Sequence, residues 1–289
     1  MRGIILAGGN GTRLYPTTLA MNKHLFPVYD KPMIYYPLTT LILAGVKDIT
    51  IVSTESGINQ FEKLLGDGNQ LGIEIEYRIQ STPGGIVDGL RIGLDGKISI
   101  DSTLLILGDN VFFGEGLGRK IGELDFGDNC YVWTQEVENP NEFGVAVMDG
   151  AGNIQKFEEK PQSFVSNTAV TGMYFFPRDV TDKCKGQIAS ARGELEVVGL
   201  LNTYLEDSRL KSIALSRGSF WADAGTSVSL SEISQFIHLI QTRQGNLVGS
   251  PEEASRRVGN INQFQFKTLL DKMPESAYKN HLSTFSQVN

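Results

Sequence analysis

Three groups of residues have the types and spacing to handle phosphate. The first is Gly8-Gly9-Asn10-Gly11-Thr12-Arg13, directly after the short apolar run Gly3–Ala7. Glycines let backbone N–H groups approach an anion closely, because no Cβ intervenes and positive φ costs little. Arg13 adds a planar cationic fork that can grip two phosphate oxygens. Lys23 follows on the same irregular segment, between Pro16 and Pro27. Together these groups can hold a triphosphate and neutralise charge as pyrophosphate leaves. A dinucleotide fingerprint would need glycine at Leu14, and the Gly-Lys-Ser/Thr of a Walker loop is absent. A bare glycine turn is the plainer alternative, and Arg13 after the strand shifts the balance towards phosphate.

The second group is a pair of acids. Asp109 follows the apolar run Leu104–Leu107, and an acid past the carboxyl end of a buried parallel strand stands where open α/β sheets place ligands. Asp223 lies in Phe220-Trp221-Ala222-Asp223-Ala224-Gly225. Two such aspartates suit Mg²⁺, which takes carboxylate and phosphate oxygens and keeps several waters. Aspartate beside glycine is otherwise often a turn former. The third group pairs cations with carboxylates. Lys160 and Glu159, in Glu158-Glu-Lys-Pro161, can serve a sugar phosphate and its hydroxyls; a solvated strand end is the alternative. Arg192 and Glu194 repeat the pairing, where the charged start of a helix reads equally well.

The elements that would position these groups alternate. Strands are predicted at Gly3–Ala7, Asp48–Ser53, Gly72–Ile79 and Leu104–Leu107. Helices are predicted over Met33–Ala44 with Pro32 at the first helical position, over Gly57–Leu65 and over Ile86–Leu94. This alternation implies βαβ units around a mostly parallel sheet. Beyond Asp128 the pattern turns to strands: Tyr131–Gln135, Gly144–Met148, Ile154–Glu158 and Val170–Phe176. Helices follow at Glu196–Glu206 and Ser227–Thr242. Ser250, Pro251 and Glu253 read as a capping box opening a helical C-terminal segment. The expected partition is a catalytic domain over 1–243 and a helical segment over 244–289.

Bulk properties exclude several classes. A net charge of −7 argues against a nucleic-acid binder. Cys130 and Cys184 lack metal or redox spacing, and His24, His238 and His281 are scattered. No stretch has the length of a signal peptide or a membrane span, so a cytoplasmic protein is expected.

Six motifs occur in order: Leu6-Ala-Gly-Gly-Asn-Gly-Thr-Arg-Leu-Tyr-Pro16, Lys31-Pro-Met-Ile-Tyr-Tyr-Pro-Leu38, Leu107-Gly-Asp-Asn110, Glu158-Glu-Lys-Pro161, Ala169-Val-Thr-Gly172 and Ala191-Arg-Gly-Glu-Leu-Glu196. With Arg243-Gln-Gly245 and Ser250-Pro-Glu-Glu253, the chain resembles the glucose-1-phosphate thymidylyltransferase family of sugar nucleotidyltransferases from end to end. The resemblance implies a Rossmann-like nucleotidyltransferase fold, dTTP and glucose 1-phosphate as substrates, Mg²⁺, and a homotetramer. It assigns the nucleotide to Leu6, Gly8, Gly9, Gly11, Thr12, Arg13 and Asp109, with Gln80 and Gly85 on the base. Arg13, Lys23 and Asp109 would be catalytic, and Asp109 and Asp223 would hold the metal. The sugar phosphate would fall to Gly144, Glu159, Lys160, Val170 and Arg192.

Several positions depart from the family pattern. Asp88 stands where a neutral amide is usual, Phe143 where tyrosine is common, and Gly199 where aspartate is common. Ala222 and Ala224 flank Asp223 where bulkier residues are typical. The departures leave open a UTP-dependent enzyme, a different hexose 1-phosphate, or a nucleotide-sugar binder without catalysis.

Overall fold

The computed structural model describes residues 1–96, 101–190 and 193–287. The first strands and helices are β1 (Arg2–Leu6), β2 (Pro27–Val28), β3 (Lys31–Pro32), α1 (Tyr35–Leu43), β4 (Asp48–Ser53), α2 (Glu55–Leu65), β5 (Glu74–Ile79) and α3 (Ile86–Leu94). Then come β6 (Ser102–Leu107), β7 (Asn110–Phe113), α4 (Leu117–Glu123), β8 (Cys130–Glu136), β9 (Gly144–Met148), β10 (Ile154–Glu159) and β11 (Thr168–Pro177). The chain continues through α5 (Val180–Lys185), α6 (Val197–Glu206), β12 (Leu210–Ala214), β13 (Phe220–Asp223) and α7 (Ser227–Gln244). It closes with α8 (Pro251–Arg257), α9 (Gln263–Lys272) and α10 (Ala277–Gln287).

Nine of these strands form one sheet in the order β10-β9-β11-β6-β1-β4-β5, with β8 on β11 and β12 on β8. The half that carries the glycine loop is parallel throughout: β6, β1, β4 and β5 run in register, with Leu6 opposite Val52 and Leu107. Past β6 the sheet turns antiparallel through β11, β9 and β10. Successive residues point to opposite faces, and the core follows that rule. Ile5, Ile49, Ile51, Leu104 and Ile106 join α1, α2 and α4 on one side. Ile4, Val52 and Leu105 join α3, α5 and α6 on the other. Both faces are covered, which is why these strands read as apolar runs rather than alternating ones.

Local differences from the sequence expectation have clear causes. Pro32 is not a first helical residue: it pairs in β3 opposite Pro27, and α1 begins at Tyr35. The α2 helix begins at Glu55 because Thr54 caps it, accepting from the Gly57 amide. Gly72 has φ of 65° and ends a 3-10 turn, so β5 starts at Glu74. Ser250 accepts from the Glu253 amide, but the Glu253 carboxylate turns to Arg257, so only half of the capping box forms. β7 and β13 form a separate two-stranded ribbon, and no sequence pattern announced it.

A third apolar cluster locks the loop region to that ribbon. Leu14, Phe26, Val28, Met33 and Tyr36 meet Val111, Ala224, Ile233, Ile237 and Val248. The residues beside Arg13 and Asp223, Leu14 and Ala224, are both buried here. Ala224 is wholly enclosed, so alanine rather than a bulkier side chain suits this packing. The chain after α7 closes against the same region. Lys31 donates to Gln241 (2.8 Å) and is paired with Asp30, while the Val248 amide also donates to Gln241.

Candidate active site

The glycine loop leaves β1 at Ala7, whose carbonyl is anchored twice, by the Ser53 hydroxyl (2.6 Å) and the Asn22 amide (3.2 Å). Gly9 and Gly11 have φ of 90° and 56°, the left-handed region that glycine enters at little cost. Gly11 also admits the Thr18 methyl group, since a Cβ there would lie 2.8 Å from Thr18 Cγ2. Arg13 sits exposed on the 3-10 turn Thr12–Leu14. Its guanidinium lies over Gly225, where a Cβ would come within 3.0 Å of Nη2.

Asn22 sets the position of Lys23. Its side chain caps the turn Lys23–Leu25 by accepting from the His24 amide (2.9 Å), and it also meets His24 Nδ1 (2.8 Å). Lys23 Nζ then reaches Asp109 Oδ2 at 2.5 Å. His24 is a buried core residue. Burial, followed by the Lys23 charge, brings its pKa down to about 3, so the ring is neutral at neutral pH. It lies against Gly108, where a Cβ would meet ring carbon Cδ2 at 2.7 Å.

The two acids come together through the ribbon. Asp223 is the strand partner of Asn110, and the Ala224 amide donates to the Asp109 carbonyl at 2.8 Å. Burial pushes the Asp109 carboxyl up. The Lys23 charge, with hydrogen bonds from Lys23 and Asn110, outweighs that and holds it well below the ordinary carboxylate range. Asp223 moves the other way: burial, then the nearby Asp109 charge, raises it, although the Gly225 amide (2.5 Å), Arg13 and Lys23 oppose the shift. The two carboxylates thus share one buried centre with the Lys23 and Arg13 cations, and their pKa values shift in opposite directions.

Asn110 orients this centre. Its Oδ1 accepts from Trp221 Nε1 (2.6 Å) and from the Gly172 amide (3.0 Å), and both partners only donate. Its Nδ2 must therefore face Asp109 Oδ1, at 3.1 Å. Asn110 and Trp221 were not among the sequence candidates. The Leu107-Gly-Asp-Asn110 motif held the only signal for Asn110.

A cavity of about 240 Å³ opens at this centre and contains Arg13, Asp109, Asp223, Gly144, Glu159, Lys160 and Val170 in its walls. Gly144 is the strand partner of Glu159, and a Cβ there would sit 2.9 Å from Glu159 Oε2. Lys160 has φ of 45°, a conformation that costs a non-glycine residue on the order of 1 kcal/mol. It is held there by its amide bond to the Phe143 carbonyl (3.0 Å). Val170 stands where the β11–β8 register shifts, next to Gly172. Phe143 leans on Trp221, ring centroids 5.2 Å apart. Glu196, quoted only within a motif, also lines the cavity. Arg192 lies outside the described residues. A larger depression of about 640 Å³ along β8 and β12 includes none of the motif acids or lysines.

A second subsite adjoins the loop. Leu6 packs against Gly89 of α3, where a Cβ would lie 3.0 Å from its side chain. Gln80 Nε2 donates to Asp88 Oδ2 (2.8 Å) and to the Gly85 carbonyl (3.4 Å). Gly85 has φ of 90° and passes close to Leu195. Gly8, Gln80, Gly85 and Asp88 thus gather beside the glycine loop. Gly199 of α6 abuts the Gln187 side chain instead.

Comparison with known proteins identifies relatives along nearly the whole chain. Residues 2–239 match the nucleotidyl transferase family model. A glucose-1-phosphate thymidylyltransferase of Mycobacterium tuberculosis H37Rv is 43% identical over 282 residues, covering 98% of each chain. One from Xanthomonas campestris is 42% identical over 287 residues, covering 99% of this chain and 97% of its own. Among solved structures, a Bacillus anthracis protein described as a glucose-1-phosphate thymidylyltransferase, crystallised with sucrose, superposes with a TM-score of 0.75. It is 37% identical and covers 82% of this chain and 94% of its own. A UDP-glucose pyrophosphorylase complexed with UDP-glucose, 21% identical with a TM-score of 0.71 over 82% of this chain and 98% of its own, shares the fold. Among the described residues, no helix is long and apolar enough to cross a membrane.

Proposed function

The chain belongs to the nucleotidyl transferase family and is a nucleotidyltransferase, and on that premise we propose that it transfers a thymidylyl group from dTTP to glucose 1-phosphate. The observation that carries this reading is the cavity in which Arg13, Asp109, Asp223, Glu159 and Lys160 converge. A phosphate oxygen of the sugar phosphate attacks the α-phosphorus in line. The new P–O bond forms as the bond to the β-phosphate oxygen breaks, and pyrophosphate leaves with the electron pair. No covalent intermediate on the protein is needed, so the residues act by positioning and charge neutralisation.

The loop amides from Gly8 to Thr12 and the Arg13 fork hold the triphosphate. Lys23, fixed on Asp109, adds positive charge beside the reacting phosphorus. Lys160 takes the sugar phosphate, Glu159 accepts from sugar hydroxyls, and Gly144 and Val170 shape the ring site. The donor set fits Mg²⁺. Two neighbouring carboxylates, with no third acid beside them among the described residues, match an ion that completes its shell with substrate phosphates and water. Asp109 and Asp223 would hold it, and it would supply charge neutralisation at the phosphates. A homotetramer is part of this reading; exposed Val228 and Leu239 on α7 and Phe264 on α9 are apolar surface that a partner subunit can cover.

The test is pyrophosphate release across a matrix of nucleoside triphosphates and sugar 1-phosphates, with and without Mg²⁺. Release that needs dTTP, glucose 1-phosphate and Mg²⁺ together is expected, with Asp109→Ala folded and nearly inactive. Unchanged turnover in Asp109→Ala would remove its assigned role. Thymine and uracil share the same hydrogen-bonding edge, so UTP is the substitute to watch. Tight nucleotide-sugar binding with no release under any pairing would point instead to a non-catalytic binder.

A further inference from the structure

The Gln80 amide has a defined polarity because of Asp88. An ionised carboxylate accepts and cannot donate, so the Gln80 group facing Asp88 Oδ2 at 2.8 Å is the NH₂. The second hydrogen of that NH₂ meets the Gly85 carbonyl at 3.4 Å. The Gln80 carbonyl oxygen then points the other way, towards Gly8 at the start of the phosphate loop, where a Cβ would lie 3.0 Å from it. Two features hold Asp88 in place. It sits in the first turn of α3, where negative charge is favoured, and the absence of a Cβ on Gly84 leaves room for its carboxylate. A neutral amide at this position offers either an oxygen or an NH₂ to Gln80 and so imposes no polarity.

We infer that Asp88 is a positioning residue for base selection, fixing Gln80 so that its carbonyl oxygen faces the nucleobase and favours bases with a ring N–H. The inference rests on the proposed placement of the base at Gln80 and Gly85. Thymine and uracil present N3–H between two carbonyl acceptors and match a fixed acceptor. Cytosine and adenine present a bare ring nitrogen there, and two acceptors would face each other without a proton between them. A site built to bond an N–H rejects ligands that lack it, because its own acceptor is left unpaired.

Binding of dTTP and dCTP, each with Mg²⁺, is measured by calorimetry for wild type, Asp88→Asn, Gln80→Ala and the double variant. Wild type is expected to prefer dTTP by on the order of 100-fold. In Asp88→Asn that ratio should fall about 10-fold, because a side-chain amide at this position can hold Gln80 in either orientation. In the Gln80→Ala background the same substitution should leave the ratio unchanged, whereas a purely structural role of Asp88 would act in both backgrounds. Asp88→Gln serves the same comparison if Asp88→Asn does not fold. A ratio in Asp88→Asn equal to wild type, an equal effect in the Gln80→Ala background, or a wild type indifferent to the base or unable to bind dTTP would each overturn the inference. Pyrophosphate release in the same preparations separates the two readings. Discriminating binding without release sinks the catalytic proposal alone, and dTTP-dependent release with a dTTP-over-dCTP ratio unchanged in Asp88→Asn sinks the Asp88 inference alone.

Discussion

Replacing Asn110 with aspartate changes one atom at the centre of the site. The substitution is isosteric and the position is only 3% exposed. Oδ1 keeps its bonds from Trp221 and Gly172, but the NH₂ that faces Asp109 Oδ1 at 3.1 Å becomes an oxygen. Two unit charges at that separation repel by about 5 kcal/mol at an effective dielectric near 20. Proton uptake limits the loss: neutralising a carboxyl of ordinary pKa near 3.9 costs about 5.6 kcal/mol at pH 8 and about 3 kcal/mol at pH 6. Repulsion and protonation are therefore nearly equal in cost at pH 8, and protonation is the cheaper route at pH 6. The introduced carboxyl titrates higher in the folded chain than in the unfolded one, so the loss grows as pH rises between those two values. Urea unfolding followed by tryptophan fluorescence, without added divalent cation, should show a loss of about 3 kcal/mol at pH 6 and about 5 kcal/mol at pH 8. A typical domain has about 5–15 kcal/mol in total, so the effect lies well above error. A variant as stable as wild type, or a loss equal at both pH values, would mean that the Asn110 amide is not aimed at Asp109.

Three further outcomes follow from other contacts. In Gly172→Ala the new Cβ would fall 2.5 Å from Asn110 Cγ; displacing Asn110 should cost about 1–3 kcal/mol in denaturation and slow turnover with it. Asp179 is raised by burial, but bonds from Arg209 (2.6 Å) and Tyr204 and the Arg209 and Lys183 charges bring it below its ordinary value. Its stabilisation is present above about pH 4 and lost as pH falls further, so Asp179→Asn should flatten the acid limb of a melting profile. The Tyr278 hydroxyl bridges the buried Glu252 carboxylate (2.5 Å) and the Ser250 hydroxyl (2.9 Å). Tyr278→Phe should cost about 1–3 kcal/mol and speed proteolysis of α9 and α10; an unchanged melting temperature would show the bridge to be idle.

What the sequence determined by itself was everything carried by short-range pattern. Apolar runs marked β1, β4 and β6, because strands covered on both faces need no polar alternation. Glycines next to Arg13 and the acid after β6 marked two walls of the cavity, because both signals lie within a few residues. Pro32 misled for the same reason: proline suits a first helical turn, but pairing with Pro27 decided the local structure. Only the tertiary structure decided which charges meet. Lys23 finds Asp109 across 86 positions and Trp221 finds Asn110 across 111, through a ribbon of two four-residue strands too short to leave a periodic signature. Asp88 stood out only as an acid where a neutral amide is usual, and the folded chain turns it towards Gln80. Hydrogen-bond polarity and charge balance depend on distances of about 3 Å between remote segments, and packing of the whole chain sets those distances.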